Sequence, residues 1–297
     1  MFHADELAAQ SLAGLSANSA AIRPFMPDQH REFFAMLPYL FIATADRRGW
    51  PVASVLSGAP GFVRSPDPTT LVVGARPVDG VALDAEVGLL GLDLTNRRRN
   101  RANGRVVAMS DAVFNVAVRQ SFGNCPQYIQ TRKPAPRAAR PGVAERLATL
   151  DDDARRLIAT ADTFFVATRS RANASNGGLD ISHRGGRPGF LDLRDDTLVV
   201  PDFRGNRYFN TLGNLLGDPR AGLLFIDFAS GDLLQVQGRV AIDWKPDPAV
   251  AGAERTWRLR FENVTRQRDA FPFTLSFGEY APTTLATGTW AGARIPM

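Results

Sequence analysis

Two short stretches carry the residues best suited to chemistry. Ser182-His183-Arg184 sets a hydroxyl, an imidazole and a guanidinium in succession, just ahead of Gly185-Gly186. Arg204-Gly205-Asn206-Arg207 precedes a segment in which Phe209, Leu212, Leu215 and Leu216 recur at helical spacing, closed by Gly217-Asp218-Pro219. The two arginines therefore fall at or just before a helix N-terminus. Unpaired backbone amides and the positive end of the helix dipole favour an anion there, and phosphate is the natural occupant. Each charge-assisted contact of this kind contributes roughly 1.5–3 kcal/mol. His183 is the histidine with functional company, suited to hydrogen bonding a heteroaromatic ring or to acid–base work near neutral pH. His3 and His30 read as surface residues.

The elements that must hold these residues occur twice. Phe41-Ile42-Ala43-Thr44 returns as Phe165-Val166-Ala167-Thr168, and Thr70-Leu71-Val72-Val73 returns as Thr197-Leu198-Val199-Val200. Gly88-Leu89-Leu90 returns as Gly222-Leu223-Leu224, and Asn103-Gly104-Arg105-Val106 returns as Gln237-Gly238-Arg239-Val240. Blocks repeated in one order mark a duplicated fold unit. The copies differ where the chemistry lies. Val55-Leu56 stands where the second copy has His183-Arg184, and the second copy is seven residues longer before the Gly-Leu-Leu block. At the place of the arginine-bearing helix the first copy has two glycines and a proline around Arg76, which cannot form that helix. One ligand site per chain is expected, on the second half, with the first half as its cover.

Short apolar runs punctuated by turn residues predict antiparallel strands and a small barrel per half, mainly β with peripheral helices. The expected layout is a helical N-terminal extension over 1–36, a first barrel over 37–131, a proline-punctuated linker over 132–144 and a second barrel over 145–297. A helix is expected over about 143–160. The 297 residues are 44% hydrophobic and 22% charged, a globular composition with no apolar run long enough for a membrane span. The acidic opening Met1-Phe2-His3-Ala4-Asp5-Glu6 lacks the charge pattern of a secretory signal, so a soluble cytoplasmic protein is expected. One cysteine, Cys125, excludes an internal disulfide and a cysteine-rich zinc site; it reads as a structural thiol. The net charge of +5 comes almost wholly from arginine. Its one dense run, Arg97-Arg98-Arg99-Asn100-Arg101, reads as a solvated hairpin end, which makes nucleic acid the weakest candidate partner. Asp93 and Asp227, matched by the repeat, read as strand-end residues, and Trp50 as buried in an interface. No glycine-rich dinucleotide fingerprint follows a strand, so a nicotinamide would come as a substrate rather than sit in a Rossmann site.

Three segments carry a family resemblance: residues 180–190, residues 202–214, and Asp218-Pro219-Arg220-Ala221-Gly222-Leu223-Leu224-Phe225, with Ser121-Phe122-Gly123-Asn124-Cys125-Pro126-Gln127-Tyr128-Ile129 in the first half. Through them the chain resembles the pyridoxamine 5′-phosphate oxidase-like, FMN-binding split-barrel family over most of its length beyond residue 30. The resemblance implies two six-stranded barrels with FMN between them, here supplied as a pseudo-dimer by one duplicated chain, with a further homodimer left open. It implies that Ser182, His183 and Arg184 line the flavin, that Arg204, Asn206 and Arg207 hold its phosphate, and that Asn210, Thr211 and Asn214 add polar contacts. The family's basic pair at the helix start falls on Asn210 and Thr211, so the charge must come from Arg204 and Arg207. The activity implied is an FMN-dependent oxidoreductase acting on a small organic molecule, with NAD(P)H or oxygen as electron partner. The alternative is a flavin or haem carrier without turnover.

Overall fold

Apolar residues at alternate positions of a strand face opposite sides of a sheet, so a strand apolar at every position must be buried on both faces. Tyr39 to Ala43 of β1 (Tyr39–Ala45) and their repeat, Phe164 to Ala167, are of this kind, and the architecture follows from finding two cores for each. The computed structural model describes residues 2–16 and 21–290. After α1 (Ala4–Leu12) and α2 (Asp28–Met36), the first unit is β1, β2 (Pro51–Ser57), β3 (Val63–Asp67), β4 (Thr70–Val73), β5 (Glu86–Asp93), β6 (Arg98–Met109) and β7 (Phe114–Gly123). Next come β8 (Arg132–Pro136), β9 (Glu145–Leu147) and α3 (Asp152–Thr160). The second unit is β10 (Thr163–Arg169), β11 (Leu179–Gly185), β12 (Asp192–Arg194), β13 (Thr197–Phe203), α4 (Asn210–Gly217), β14 (Arg220–Ile226), β15 (Leu233–Asp243) and β16 (Ala253–Gln267). β17 (Phe273–Phe277) and α5 (Pro282–Leu285) follow.

The two sheets share one topology. The first runs β2-β1-β5-β6-β7-β4-β3 and the second β11-β10-β14-β15-β16-β13-β12, all antiparallel neighbours. The fold is therefore mainly β, two split barrels in tandem, with the short β3 and β12 taking each path to seven strands rather than six.

The alternation divides the apolar runs between cores. Leu40, Ile42 and Leu89 fill the first barrel with Phe33 and Phe34 of α2, while Phe164, Val166, Leu223 and Phe225 fill the second. The intervening Phe41, Ala43, Leu90, Phe165, Ala167 and Leu224 form a third core between the barrels. At its centre the repeat-matched Phe41 and Phe165 stack with ring centroids 3.6 Å apart and planes 18° from parallel. Two glycines let the barrels approach this closely. A Cβ on Gly88 would lie 2.8 Å from Asp180 Cα of the other barrel, and one on the matched Gly222 would overlap the Pro51 carbonyl, 3.1 Å from Val52 Cα.

Three expectations need correction. The presumed linker begins as strand β8, which pairs with β17; Arg132 is buried there against Asp162, with Nη2 2.6 Å from each carboxylate oxygen. Prolines are tolerated in this ribbon because each strand pairs on one edge only. The helix expected over 143–160 is shorter: residues 145–147 pair with β16, and α3 starts after Asp151, whose carboxylate caps it at Ala154 N (2.9 Å). His30 is buried in α2, its Nδ1 2.8 Å from Ser121 Oγ, and His3 is buried as well. Asp93 ends β5 and Asp227 directly follows β14, each accepting hydrogen bonds within the following turn. Trp50 is buried against Arg220 and Arg239 of the second barrel. No helix among the described residues is long and apolar enough to cross a membrane.

The glycine contacts predict that Gly88→Ala and Gly222→Ala each destabilise the chain by about 1–3 kcal/mol, the usual cost of overpacking. Urea unfolding measures this; unchanged midpoints in both variants would contradict a tight inter-barrel contact.

Candidate functional site

The cleft beside this interface is built from both halves. β11 supplies Ser182, His183 and Arg184, the end of β13 supplies Pro201, Asp202 and Phe203, and the loop to α4 supplies Gly205, Asn206, Arg207 and Phe209. The first barrel contributes Arg99 and Arg101 from β6, with Asn124, Gln127 and Tyr128 beyond β7. Alternation on β6 sends Arg99 and Arg101 to the face that meets the second barrel. The run expected to be a solvated hairpin end thus delivers two guanidiniums to the cleft, and Arg101 is only 5% exposed. The signal for this lay in the repeat, which places Leu233 and Gln235 at the matched positions.

Arg101 crosses the interface. Its Nη1 is 2.5 Å from Asp180 Oδ2 and 3.3 Å from Asn210 Oδ1, and its Nη2 donates to Ser182 Oγ. Thr211 Oγ1 is 2.9 Å from the same Ser182 oxygen. On the far side, Asn210 Nδ2 donates to Glu6 of α1, and burial raises the pKa of that carboxyl. α1 lies directly on α4, since a Cβ on Gly213 would sit 2.6 Å from Glu6 Cα. One buried network therefore joins α1, the first barrel, β11 and the start of α4. A pair this deeply buried is costly to break from one side, about 3–5 kcal/mol.

Five arginines border the cleft (Arg99, Arg101, Arg184, Arg207 and Arg255) against two carboxylates, Asp202 and Glu254, so its field favours an anion. Arg184 pairs with Asp202, and Arg255 Nη2 lies 2.6 Å from Glu254. Arg207 is 3.9 Å from Glu254. Arg99 has no carboxylate within 4.0 Å among the described residues; its Nε donates to Cys125 O at 2.8 Å, and burial pushes its pKa down to about 10. His183 is 5% exposed, packed edge-on against Phe165, and neither ring nitrogen has a hydrogen-bond partner among the described residues. Burial, reinforced by Arg99, Arg184 and Arg132, holds its pKa well below the usual value. The imidazole is therefore neutral near pH 7. It offers one N–H and one acceptor to a ligand.

The remaining predicted residues divide. Asn206 borders the cleft, fixed by its Nδ2 bond to Asn124 Oδ1 (2.7 Å), and its Oδ1 accepts from Tyr208 N. Asn210 and Thr211 open α4, whose N-cap, Phe209, has φ 60° and makes no side-chain cap, leaving the first-turn amides free. Ser182 borders the cleft but is committed to Arg101 and Thr211. Asn214 does not border it; Nδ2 donates to Thr168 Oγ1 (3.0 Å) and Oδ1 lies 2.9 Å from His3 Nε2. Arg204 is exposed and lines a neighbouring basin instead. Sequence reasoning missed Arg99, Arg101, Arg255 and Tyr128.

The duplication places a second cleft on the opposite side, and it is apolar. Val55 and Leu233 stand where His183 and Arg99 do, packed into the inter-barrel core with Phe271 and with Phe273 of β17. The β8–β17 ribbon closes that side.

No family model matches the sequence, and no curated protein matches it. Among solved structures the chain is similar to a candidate pyridoxamine 5′-phosphate oxidase from Lactobacillus delbrueckii, at 15% identity and TM-score 0.31 over 40% of this chain and 97% of that one. It is similar to a FAD-binding protein from Mesorhizobium loti at 13% identity and TM-score 0.30, over 43% of this chain and 99% of that one. HupZ of Group A Streptococcus matches at 14% identity and TM-score 0.30, over 39% of this chain and 91% of its own.

In the unfolded chain a histidine takes up a proton near pH 6.5, whereas folded His183 resists protonation to lower pH. The stability at stake is intact above about pH 6.5 and lost as pH falls below it, by up to about 1.4 kcal/mol per pH unit. His183→Gln removes that slope, so on acidification from about pH 7 to about pH 5 its stability falls less steeply than the wild type's, as urea unfolding will show. Parallel profiles would contradict a buried neutral imidazole.

Proposed function

We propose that the chain binds FMN in the inter-barrel cleft and acts as an FMN-dependent oxidoreductase on a small organic substrate. The observation that carries this reading is the donor set of the cleft: an unpartnered neutral imidazole, an arginine with no carboxylate partner, and the bare first turn of a helix, all on one surface. A flavin mononucleotide needs donors for ring carbonyl and imino acceptors at one end and cationic or amide donors for a dianion at the other. The cleft supplies both.

The cleft encloses about 830 Å³ of atom-free space, its open mouth included, and Arg99 and Arg207 border it. Neither is held by a close carboxylate.

Arg207, Asn206 and the amides of Asn210 and Thr211 hold the phosphate in this reading, and His183, Arg184 and Arg99 face the ring. When bound, FMN supplies hydride and single-electron chemistry that no side chain here provides. The protein's share is anchoring, exclusion of water and a fixed hydrogen-bond pattern. Neutral His183 donates from one ring nitrogen and accepts at the other. Arg101 keeps Ser182 and the start of α4 in place. NAD(P)H or oxygen is the electron partner.

Titration of purified protein with FMN tests this, followed by flavin fluorescence and by bleaching of the visible spectrum on NADPH addition. Saturable uptake is expected, weakened at least tenfold in Arg207→Ala, which corresponds to about 1.4 kcal/mol. No uptake of FMN, or unchanged affinity in the variant, would reject the assignment.

A further inference from the structure

Past Arg207 the cleft opens into a second basin, with about 1320 Å³ of atom-free space including its mouth, that shares Tyr128, Arg207, Glu254 and Arg255 with it. Its other walls are of a different kind. Leu12 and Leu15 from the end of α1, Pro246, Ala253 and Ala286 present apolar surface, and Leu12 is 55% exposed. Trp244 adds a half-buried aromatic ring, backed by Phe209 at 6.4 Å between centroids. Arg204 lines this basin and not the first. Its backbone is pinned by Tyr128 Oη, which donates to Arg204 O at 3.0 Å, yet its guanidinium makes no ion pair or hydrogen bond among the described residues.

The composition of the two basins is informative. Arg207, Asn206 and the α4 amides lie together at the junction, a set fit for one phosphate. Beyond them the second basin adds an unpaired guanidinium, apolar walls and an indole that packs by Phe209 and Arg255, a set that matches a second phosphate and a flat base. We infer that this basin seats the adenosine diphosphate portion of a dinucleotide whose other half lies in the inter-barrel cleft. The inference rests on the flavin reading and extends it, since FAD then replaces FMN as the occupant. A nicotinamide dinucleotide carries the same adenosine diphosphate group, and the experiment separates the two.

Calorimetric titrations of the cofactor-free chain with FMN, FAD and NADPH decide the matter, repeated in Arg204→Ala and Trp244→Ala. FAD is expected to bind at least tenfold tighter than FMN, with both substitutions returning FAD to the FMN level and leaving FMN binding unchanged. NADPH binding tighter than FMN, sensitive to the same substitutions, would assign the basin to a nicotinamide dinucleotide and uphold the adenosine diphosphate site. Equal affinities for FMN and FAD with no NADPH binding would overturn the basin while leaving the flavin cleft standing. Failure of all three to bind would overturn the cleft and the basin together. A FAD preference that survives both substitutions would overturn the assignment to these residues. Arg204 is exposed, so its variant tests the site even if loss of Trp244 disturbs folding.

Discussion

The barrels touch backbone to backbone, and the rest of the molecule answers to that contact. Gly88 and Gly222 leave no room for a side chain or water between β5 and β11, or between β14 and β2. Any polar group at this seam must find its partner within the protein. Arg101 is the largest such group, and Asp180, Ser182 and Asn210 take its two terminal nitrogens. The seam thereby fixes β6 of one barrel against β11 and α4 of the other. The cleft beside it keeps its shape because its walls are tied from behind.

The duplication shows how one side of such a seam acquires chemistry while the other loses it. Gln235 matches Arg101 and reaches Ser54, the match of Ser182, at 2.9 Å, with a second bond of 2.7 Å to Ala53 O. The cross-link survives on both sides, but only one side carries charge. Where the neutral link stands, Val55 and Leu233 turn apolar and the β8–β17 ribbon folds over them. Where Arg101 stands, the neighbouring positions hold Arg99, His183 and Arg184 and the cleft stays open. Burying two charge clusters would double the desolvation cost; one cluster and one apolar closure gives a pseudo-dimer with a single polar mouth.

Much of this was legible in the sequence because it is periodic. The repeat gave the tandem barrels, and the spacing of Leu212 and Leu215 located α4 on its buried face. What stayed hidden was set by tertiary contact. Arg99 and Arg101 sit in a run of arginines, and nothing local distinguishes a solvated hairpin from one covered by another barrel. Their repeat partners Leu233 and Gln235 carried the distinction, for a position that accepts leucine in one copy faces a buried surface. Proline spacing over residues 132–144 suggested a linker, yet a two-stranded ribbon accepts Pro134 and Pro136 on its free edge. Asn214 was close in sequence to the helix start but faces α1 and Thr168, one turn too far along. Arg204 stands apart from the first cleft because the positive φ of Arg207 and Phe209 turns the chain between it and the helix.

The central claim is that a ligand seats against the unpartnered imidazole in the seam's open cleft. Nitrogen-15 NMR of histidine-labelled protein reports on that ring directly, because the two nitrogens of a neutral imidazole give separate signals that shift when either gains a hydrogen bond. The account predicts a neutral His183 near pH 7 whose ring signals move on saturation with FMN, while those of His3 and His30 hold their positions. Saturable flavin binding that leaves the His183 signals unmoved would place the ligand elsewhere and contradict it.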